Sequence, residues 1–350
     1  MPAVTASRDH HPSKSSPAGR PRRAAGDAEA VVIPREGKRV ELTVAGRSVV
    51  LTNVQKPFWP ELKITKGDLL QYYADVAPFL LPHLRDHAMV MKRYPHGAHG
   101  EFFFMKRAPT PRPEWIQTCS IRHESENVID FPMIQDVPSL LWCINLGCVD
   151  LNPWYARCDD VDRPDYLHFD LDPVTPAKGK RAVPFSRVSE VALIVRDALA
   201  GLEMPSYAKT TGSRGIHVYV PIVRGPTQKQ VWTFAKAFAQ ALAKQDPKRI
   251  TAEYRISKRP AGRVLVDYNQ NAWGRTLSSV YSVRPRAGAP VSMPVTWKEI
   301  ERGVTIEQFH LKNAAKRIRR TGDLWKPLLP EVKERVDLEK LIKGTADERG

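Results

Sequence analysis

Two aspartates, Asp170 and Asp172, stand one residue apart in the apolar segment YLHFDLDPVTP, where ionised carboxylates are costly unless a cation compensates them. Side chains alternate along a strand, so these two carboxylates and His168 share one face, with the carboxylates about 7 Å apart. A third aspartate, Asp267, ends the apolar segment RVLVD in the same way. Three such carboxylates suit a two-metal site for phosphoryl or nucleotidyl transfer. The alternative is that each one caps a strand or pairs with a cation.

A glycine-containing turn, TTGSRGIH at residues 210–217, lies between two predicted strands. Glycines let the backbone approach a ligand, consecutive N–H groups form an anion nest, and Thr211, Ser213, Arg214 and His217 add donors. The turn is not a P-loop, because the Gly-x-x-x-x-Gly-Lys-Ser/Thr pattern and its helix are absent. It therefore predicts a phosphate cradle, with an ordinary hairpin turn as the alternative.

Alternating strand and helix periodicities predict the elements that must position these residues. The segments with helical spacing are KGDLLQYYADVAPFLLPHL, VPSLLWCIN, TQKQVWTFAKAFAQALAKQ and the stretch after Ser186, which we expect to be its N-cap. MVMKRYPHG and GEFFFMKR predict a hairpin, and the C-terminal third is expected to be mostly helical and basic. Since no linker divides this pattern, we expect a disordered basic tail over residues 1–36 and one mixed α/β domain over residues 37–345.

The 350 residues include 54 Lys+Arg and 38 Asp+Glu, which gives a formal net charge of +16. Such an excess favours a polyanionic partner, because cations that neutralise phosphates release condensed counterions. A membrane role is disfavoured, since no apolar run approaches about 20 residues and no secretory signal is present. The cysteines lack paired Cys-x-x-Cys spacing, which predicts reduced, mostly buried thiols and a cytoplasmic protein.

The order of these motifs resembles that of the archaeo-eukaryotic primase superfamily. The matching features are the Asp-x-Asp strand, the turn Thr-x-Gly-Ser-Arg-Gly-x-His, the strand-end aspartate in VDYNQN and the downstream YSVR. The chain is particularly similar to the polymerase domain of bacterial DNA ligase D and its stand-alone relatives, from about Leu51 to Lys326. The resemblance implies an α+β catalytic domain with central, mostly antiparallel sheets flanked by helices.

The resemblance also implies the site residues. Asp170, Asp172 and Asp267 would hold two Mg²⁺ or Mn²⁺ ions. The residues that would bind the incoming nucleotide are Lys92, Arg93, Phe103, Phe104, Thr211, Ser213, Arg214, His217, Gln270 and Arg284. Phe103 and Phe104 match aromatics that stack near the base and template. Without the resemblance, residues 102–104 would be expected in the core.

The segment LTNVQKPFWPELKITKGD resembles the part of the family that recognises the 5′-phosphate on the downstream side of a gap or break. Asn53, Lys56 and Lys66 fall on the matching positions. A lysine pair also suits a terminal phosphate dianion. Two exposed lysines beside a loop are the alternative.

The activity implied is a template-dependent polymerase that fills short gaps and extends ends in non-homologous end joining, and that uses ribonucleotides. Its partners would be gapped or broken DNA with a 5′-phosphate, nucleoside triphosphates, a separate DNA ligase and a Ku-like protein, at the nucleoid. A ligase is expected because the sequence has no Lys-x-Asp-Gly signature. The alternatives are a primase that starts strands de novo, which the lysine pair disfavours, and a non-catalytic break-binding protein, which the intact carboxylates disfavour.

Overall fold

The computed structural model describes residues 30–123, 127–174 and 182–347. The strands are β1 Arg39–Val44, β2 Arg47–Thr52, β3 Pro57–Trp59, β4 Ile64–Thr65, β5 His87–Arg93, β6 Phe103–Met105, β7 Thr118–Arg122, β8 Val128–Pro132, β9 Cys148–Arg157, β10 Tyr166–Pro173, β11 Tyr207–Thr210, β12 Ile216–Pro221, β13 Ile250–Thr251, β14 Val264–Asp267 and β15 Pro294–Val295. The α-helices are α1 Lys66–Leu80, α2 Val137–Asn145, α3 Phe185–Ala200, α4 Gln228–Gln245, α5 Trp297–Glu301, α6 Leu311–Thr321 and α7 Leu338–Asp347.

A six-stranded sheet, ordered β13-β14-β10-β12-β11-β15, forms the centre of the domain. All its pairs are antiparallel except β13–β14. Helices α3 and α4 cover one face, where Phe169 of β10 packs against Phe238 of α4 with ring centroids 5.0 Å apart. The alternation of side chains leaves the aspartates of β10 on the other face. The mixed, mostly antiparallel architecture expected from the sequence is confirmed.

A three-stranded sheet, β6-β5-β9, lies on the side of the aspartates and carries the predicted hairpin as its β5–β6 pair. Tyr155 of β9 contacts His168 of β10 edge to face, with ring centroids 5.3 Å apart. Helix α2 leads into β9, as the sequence predicts. The two sheets therefore face each other across the aspartate side of β10.

Helix α1 supports this second sheet and is fixed at its N-terminus by a capping box. The Thr65 hydroxyl accepts the Asp68 amide, and the Asp68 carboxylate accepts the Thr65 amide. Ahead of it, the Ile33 amide donates to the Gln71 side chain, whose own amide donates to the Val31 carbonyl. The compact body thus begins at Val31, six residues before the predicted boundary. Residues 1–29 of the expected tail lie outside the described residues, and their role stays a prediction.

Three local expectations need correction. Helix α3 begins at Phe185 with Pro184 as its N-cap, so Ser186 lies inside the first turn and does not cap it. The C-terminal third is not mostly helical, because the described stretch from 272 to 293 is held by turns and isolated bridges. Cys119 and Cys158 form a disulfide between β7 and the region just after β9, whereas Cys143 and Cys148 are free and buried as expected. The two bonded cysteines are 39 residues apart, so local spacing carried no sign of the pair.

In the described residues, no helix combines the length and apolar character needed to cross a bilayer.

Candidate active site

Strand pairing brings the three predicted aspartates to one place. Strand β10 lies between β14 and β12, and Asp170 is directly opposite Asp267 on one side and His217 on the other. Directly opposed residues of an antiparallel pair have Cβ atoms about 5 Å apart and point to the same face. Asp172, two residues further along β10, shares that face. The acids therefore line one patch beside the turn that follows β11.

Burial and neighbouring acids raise the pKa of two carboxylates in this patch, Asp170 and Asp172. Burial, followed by repulsion from Asp267, raises the pKa of Asp170 to about 7. Burial, followed by repulsion from Asp170, raises the pKa of Asp172 to about 7. Arg214 and Arg284 act in the opposite direction on both. At neutral pH Asp170 and Asp172 are thus divided between the protonated form and an ionised form that a cation would stabilise.

One carboxylate oxygen in the patch has no hydrogen bond. Asp170 Oδ1 is buried, and although His217 Nε2 lies 3.2 Å away, the geometry is not that of a hydrogen bond. Asp267 instead accepts the Asn269 amide at 2.8 Å and the Gln270 side-chain amide at 3.2 Å. In the described residues, no group of three or more His, Cys, Asp or Glu side chains is arranged as a ready-made metal site. An unpartnered buried oxygen among crowded acids nevertheless fits a divalent cation with oxygen ligands.

The predicted cradle is a tight turn between β11 and β12 whose amides already have an acceptor. The Thr211 hydroxyl accepts the backbone N–H groups of Ser213 at 3.1 Å, Arg214 at 3.3 Å and Gly215 at 3.1 Å. These amides converge on one point as a nest should, but the point is held by Thr211. In this structure the three amides donate to Thr211, and the expectation that they bind a phosphate directly stays a prediction. The exposed donors of the turn are the side chains of Ser213, which is half-buried, and Arg214.

Arg284 joins the turn to a buried acid. Its Nη1 donates to the Thr211 carbonyl at 2.9 Å, and its Nε lies 3.5 Å from Asp150 Oδ2. Burial raises the pKa of Asp150, while Arg284 and then Lys92 lower it. Asp150 is also opposite Lys92 in the β5–β9 pair. One carboxylate thus lies between Lys92 of the three-stranded sheet and Arg284 of the irregular stretch after β14.

The residues on β5 and β6 that the sequence assigns to the nucleotide and its base form an exposed surface of aromatic rings and cations. Lys92 Nζ lies 4.0 Å from the ring centre of Phe102, and the Arg93 guanidinium carbon lies 5.2 Å from that of Phe103. Phe102, Phe103 and Phe104 are 50%, 43% and 59% exposed, so they are not core residues. Exposed rings beside cations are suited to stacking on bases.

The predicted 5′-phosphate residues meet around the start of α1. The Lys66 amide donates to the Lys56 carbonyl at 2.8 Å, and Lys66 Nζ donates to the Thr52 carbonyl at 2.7 Å. Asn53 is exposed with a positive φ of 51°. Lys66 is only 5% exposed, and burial, then Lys56 and Arg93, lower its pKa to about 8. Arg93, assigned from the sequence to the nucleotide, therefore also acts on this cluster.

Three buried polar residues of the acid face had no assigned role. Lys209 of β11 is opposite His217, and its Nζ donates to the Ser278 carbonyl and the Ser292 hydroxyl. Both ring nitrogens of His168 lack a hydrogen-bond partner, and burial followed by His217 lowers its pKa to about 3. Asp150 is the third. In the sequence, the feature that could have identified them was a polar residue at an inward-facing position of an otherwise apolar strand.

Comparison with known proteins shows which family of proteins this chain resembles. Residues 65–325 match the family model described as "LigD, primase-polymerase domain". The chain is 31% identical over 282 residues to the multifunctional non-homologous end joining protein LigD of Mycolicibacterium smegmatis, covering 80% of this chain and 36% of that protein. It is 28% identical over 272 residues to the bifunctional non-homologous end joining protein LigD of Bacillus subtilis, covering 77% of this chain and 42% of that protein.

A solved structure is similar as well. The polymerase domain of Mycobacterium tuberculosis ligase D in complex with DNA aligns with a TM-score of 0.74 and 30% identity, over 81% of this chain and 98% of that one. The chain spans well under half the length of the full LigD relatives, and the part it spans is this domain. The chain belongs to the LigD primase-polymerase domain family.

Proposed function

We propose that this protein is a template-dependent nucleotidyltransferase that fills short gaps and extends broken DNA ends in non-homologous end joining. The observation that carries the proposal is the placement of Asp170 directly opposite Asp267, with Asp172 on the same face, beside the turn at Thr211. The polymerase and end-joining names of its relatives support it. Acceptance of ribonucleotides is part of the proposal.

Asp170, Asp172 and Asp267 are the residues that would hold divalent Mg²⁺ or Mn²⁺. When bound, the ions supply charge neutralisation on the phosphates and a lowered pKa for the attacking 3′-hydroxyl. The residues of the chain bind and orient the substrate. Arg214 and Ser213 lie beside the acids to hold phosphate oxygens, and Arg284, anchored between Asp150 and the Thr211 carbonyl, keeps the turn in position.

His217 acts here as a neutral group. Burial, with Lys209 and Arg284 as further causes, lowers its pKa well below the ordinary value. Its Nδ1 is buried without a hydrogen-bond partner. A neutral imidazole donates from one nitrogen and accepts at the other, so His217 can bind a phosphate oxygen without adding a charge next to Asp170.

The DNA would lie across two surfaces. Exposed Phe103 and Phe104 are proposed to stack on the template and the base of the incoming nucleotide. Lys56, Lys66 and Asn53 are proposed to bind the 5′-phosphate of the downstream strand. A DNA ligase is the proposed partner that seals the product, and a Ku-like protein at the nucleoid is the proposed recruiter.

The decisive test is extension of a primer across a one-nucleotide gap, with both sugars and both metals. We expect Asp170→Ala to lower incorporation by at least about 10³-fold, because it removes the central metal ligand, while DNA binding persists. The control is Asp197→Ala, which removes an exposed carboxylate from α3 on the opposite face of the sheet. Full activity of Asp170→Ala, or no metal-dependent incorporation by the wild type, would refute the proposal.

The lysine cluster has its own test. We expect Lys56→Gln to weaken binding to a 5′-phosphorylated gap by about tenfold, since one cation of a desolvated phosphate site is worth about 1–2 kcal/mol. Binding to the same gap without the phosphate should not change. Lys229→Gln, at an exposed position of α4 on the opposite side of the central sheet, is the charge-matched control. Equal losses of affinity for the two gaps would show that Lys56 does not bind the 5′-phosphate.

A further inference from the structure

Helix α6 carries a row of cations that the site described above does not use. Lys312, Lys316 and Arg320 are exposed and follow each other at intervals of four residues, with exposed Arg319 beside them. Residues four apart lie on one side of a helix, about 6 Å further along its axis. The helix contains no acidic residue. In the part of the chain that the structure describes, none of these four side chains forms an ion pair with a carboxylate.

Two acids near the ends of this helix have other partners, and exposed Glu307, four residues before the helix, forms no ion pair in the described residues. Glu299 of α5 pairs with Arg317, which points to the inner side of α6 and covers the Phe309 ring. Asp323, just after the helix, accepts the Tyr281 hydroxyl at 2.7 Å and pairs with His83. The outward row therefore has no ion-pair partner in the described residues, while Arg317 on the inner face of α6 is packed and paired with Glu299.

The row is joined to the lysine cluster at the start of α1. Lys312 Nζ donates to the Leu62 carbonyl at 2.9 Å, four residues before Lys66. Between them, Lys63 is exposed and takes a left-handed turn with φ of 54°. The inner side of α6 is anchored by Leu311, Ala314 and Ile318, which are buried. The cations thus continue from the proposed 5′-phosphate site onto a rigidly packed helix.

We infer that the outward face of α6, with Lys63, binds the phosphate backbone of the duplex DNA downstream of the gap. From Lys312 to Arg320 the row extends about 12 Å, the axial length of three to four phosphates on one DNA strand. The outward face of α6 has no aromatic residue, and unpaired bases would require rings on which to stack. A double-stranded backbone is therefore the matching partner. This inference rests on the proposed function, because it continues the DNA from the proposed 5′-phosphate site.

The test measures binding of the full chain to gapped DNA by fluorescence anisotropy, without nucleotide or metal. Two substrates carry the same 5′-phosphorylated gap but a downstream duplex of about 4 or about 16 base pairs. The triple variant Lys312→Ala/Lys316→Ala/Arg320→Ala should bind the long substrate at least about tenfold more weakly. The negative slope of log affinity against log salt concentration should become less steep by about 2.7. This is about 0.9 for each of the three phosphates that the variant no longer neutralises. Binding to the short substrate should change little.

The matched control is Lys229→Ala/Lys244→Ala/Lys248→Ala, which removes three exposed cations on and after α4, on the opposite side of the central sheet. It should keep the wild-type affinity and slope. A Lys312→Arg/Lys316→Arg variant should also keep both, because the charge remains. Wild-type binding by the α6 triple variant, or equal losses on the two substrates, would overturn the inference. Failure of the proposed function would appear separately, as absence of metal-dependent incorporation by the wild type.

Discussion

At the scale of single residues, the chemistry of the site follows from carboxylates placed where the protein does not neutralise them. Asp170 has a neighbouring acid on β14 and a neutral imidazole on β12, and its Oδ1 has no hydrogen bond. The buried Lys209, which lowers the pKa of Asp170, donates its own hydrogen bonds to Ser278 and Ser292. This patch of acids is therefore costly for the fold, which supports the proposed cation site.

This cost predicts a pH-dependent gain in stability for Asp170→Asn. The folded pKa of Asp170, about 7, lies above the ordinary value of 3.8, so the folded state binds the proton more tightly. Stability is thus lost as pH rises between these values. In urea unfolding at pH 8 with a chelator, the variant should be more stable than the wild type by on the order of 1–3 kcal/mol. At pH 4 the difference should vanish.

The control is Glu114→Gln at an exposed position, which should not change stability at either pH. Adding Mn²⁺ at pH 8 should stabilise the wild type more than Asp170→Asn, since a ligand that binds only the folded state stabilises it. A variant less stable than the wild type at pH 8 without metal would contradict the electrostatic account.

At the scale of elements, the turn between β11 and β12 works only because two glycines bring it close to its neighbours. Gly212 adopts a φ of 64°, and a Cβ there would lie 2.7 Å from Arg284 Cγ. At Gly215, a Cβ would overlap the Leu171 carbonyl oxygen and lie 2.8 Å from Asp172 Oδ1. The glycines therefore set the distance between the turn and the acids.

Gly215→Ala should destabilise the protein by about 2–4 kcal/mol, because a backbone carbonyl cannot move aside as a side chain can. It should also lower incorporation more than tenfold by shifting Asp172. Chemical unfolding and gap filling measure the two effects. Gly201→Ala is the control, since its φ is −63° and its Cβ would meet only ordinary contacts at 3.5 and 3.6 Å. Wild-type stability of Gly215→Ala would show that the turn tolerates a side chain.

At the scale of the whole molecule, the Tyr73 hydroxyl of α1 ties together segments that are far apart in sequence. It donates to the Val149 carbonyl of β9 at 2.6 Å and accepts the Val283 amide at 3.0 Å. The Ser282 hydroxyl next to it accepts the Leu151 amide at 2.9 Å. Val283 directly precedes Arg284, so this network fixes the strand of Asp150 relative to the arginine it contacts.

Tyr73→Phe should therefore destabilise the protein by about 1–3 kcal/mol, because it leaves a buried carbonyl and a buried amide without their partner. It should also raise the KM for the nucleotide, by loosening Arg284 against Asp150. Tyr207→Phe, at a half-buried ring of β11 whose hydroxyl forms no hydrogen bond in the described residues, should have neither effect. A loss of stability without a change in KM would show that the network stabilises the fold but does not position Arg284 for nucleotide binding.

By itself, the sequence determined the features that depend on local periodicity. Alternation along β10 placed Asp170 and Asp172 on one face, and strand-end position marked Asp267. The hairpin β5–β6, the helix leading into β9 and the turn at Thr211 also follow from patterns of a few residues. The order of the motifs along the chain was sufficient to identify the family.

Only the tertiary structure decided which strands are neighbours and what each buried polar group contacts. The register that sets Asp170 opposite Asp267 joins residues 97 positions apart in the numbering, and no local pattern encodes it. The same holds for the disulfide, for Arg93 near Lys66, and for Asp150 near Arg284. The Thr211 hydroxyl filling its own nest depends on the backbone path of the folded turn. Such contacts arise from long-range packing, in which burial and charge are set by residues distant in the chain.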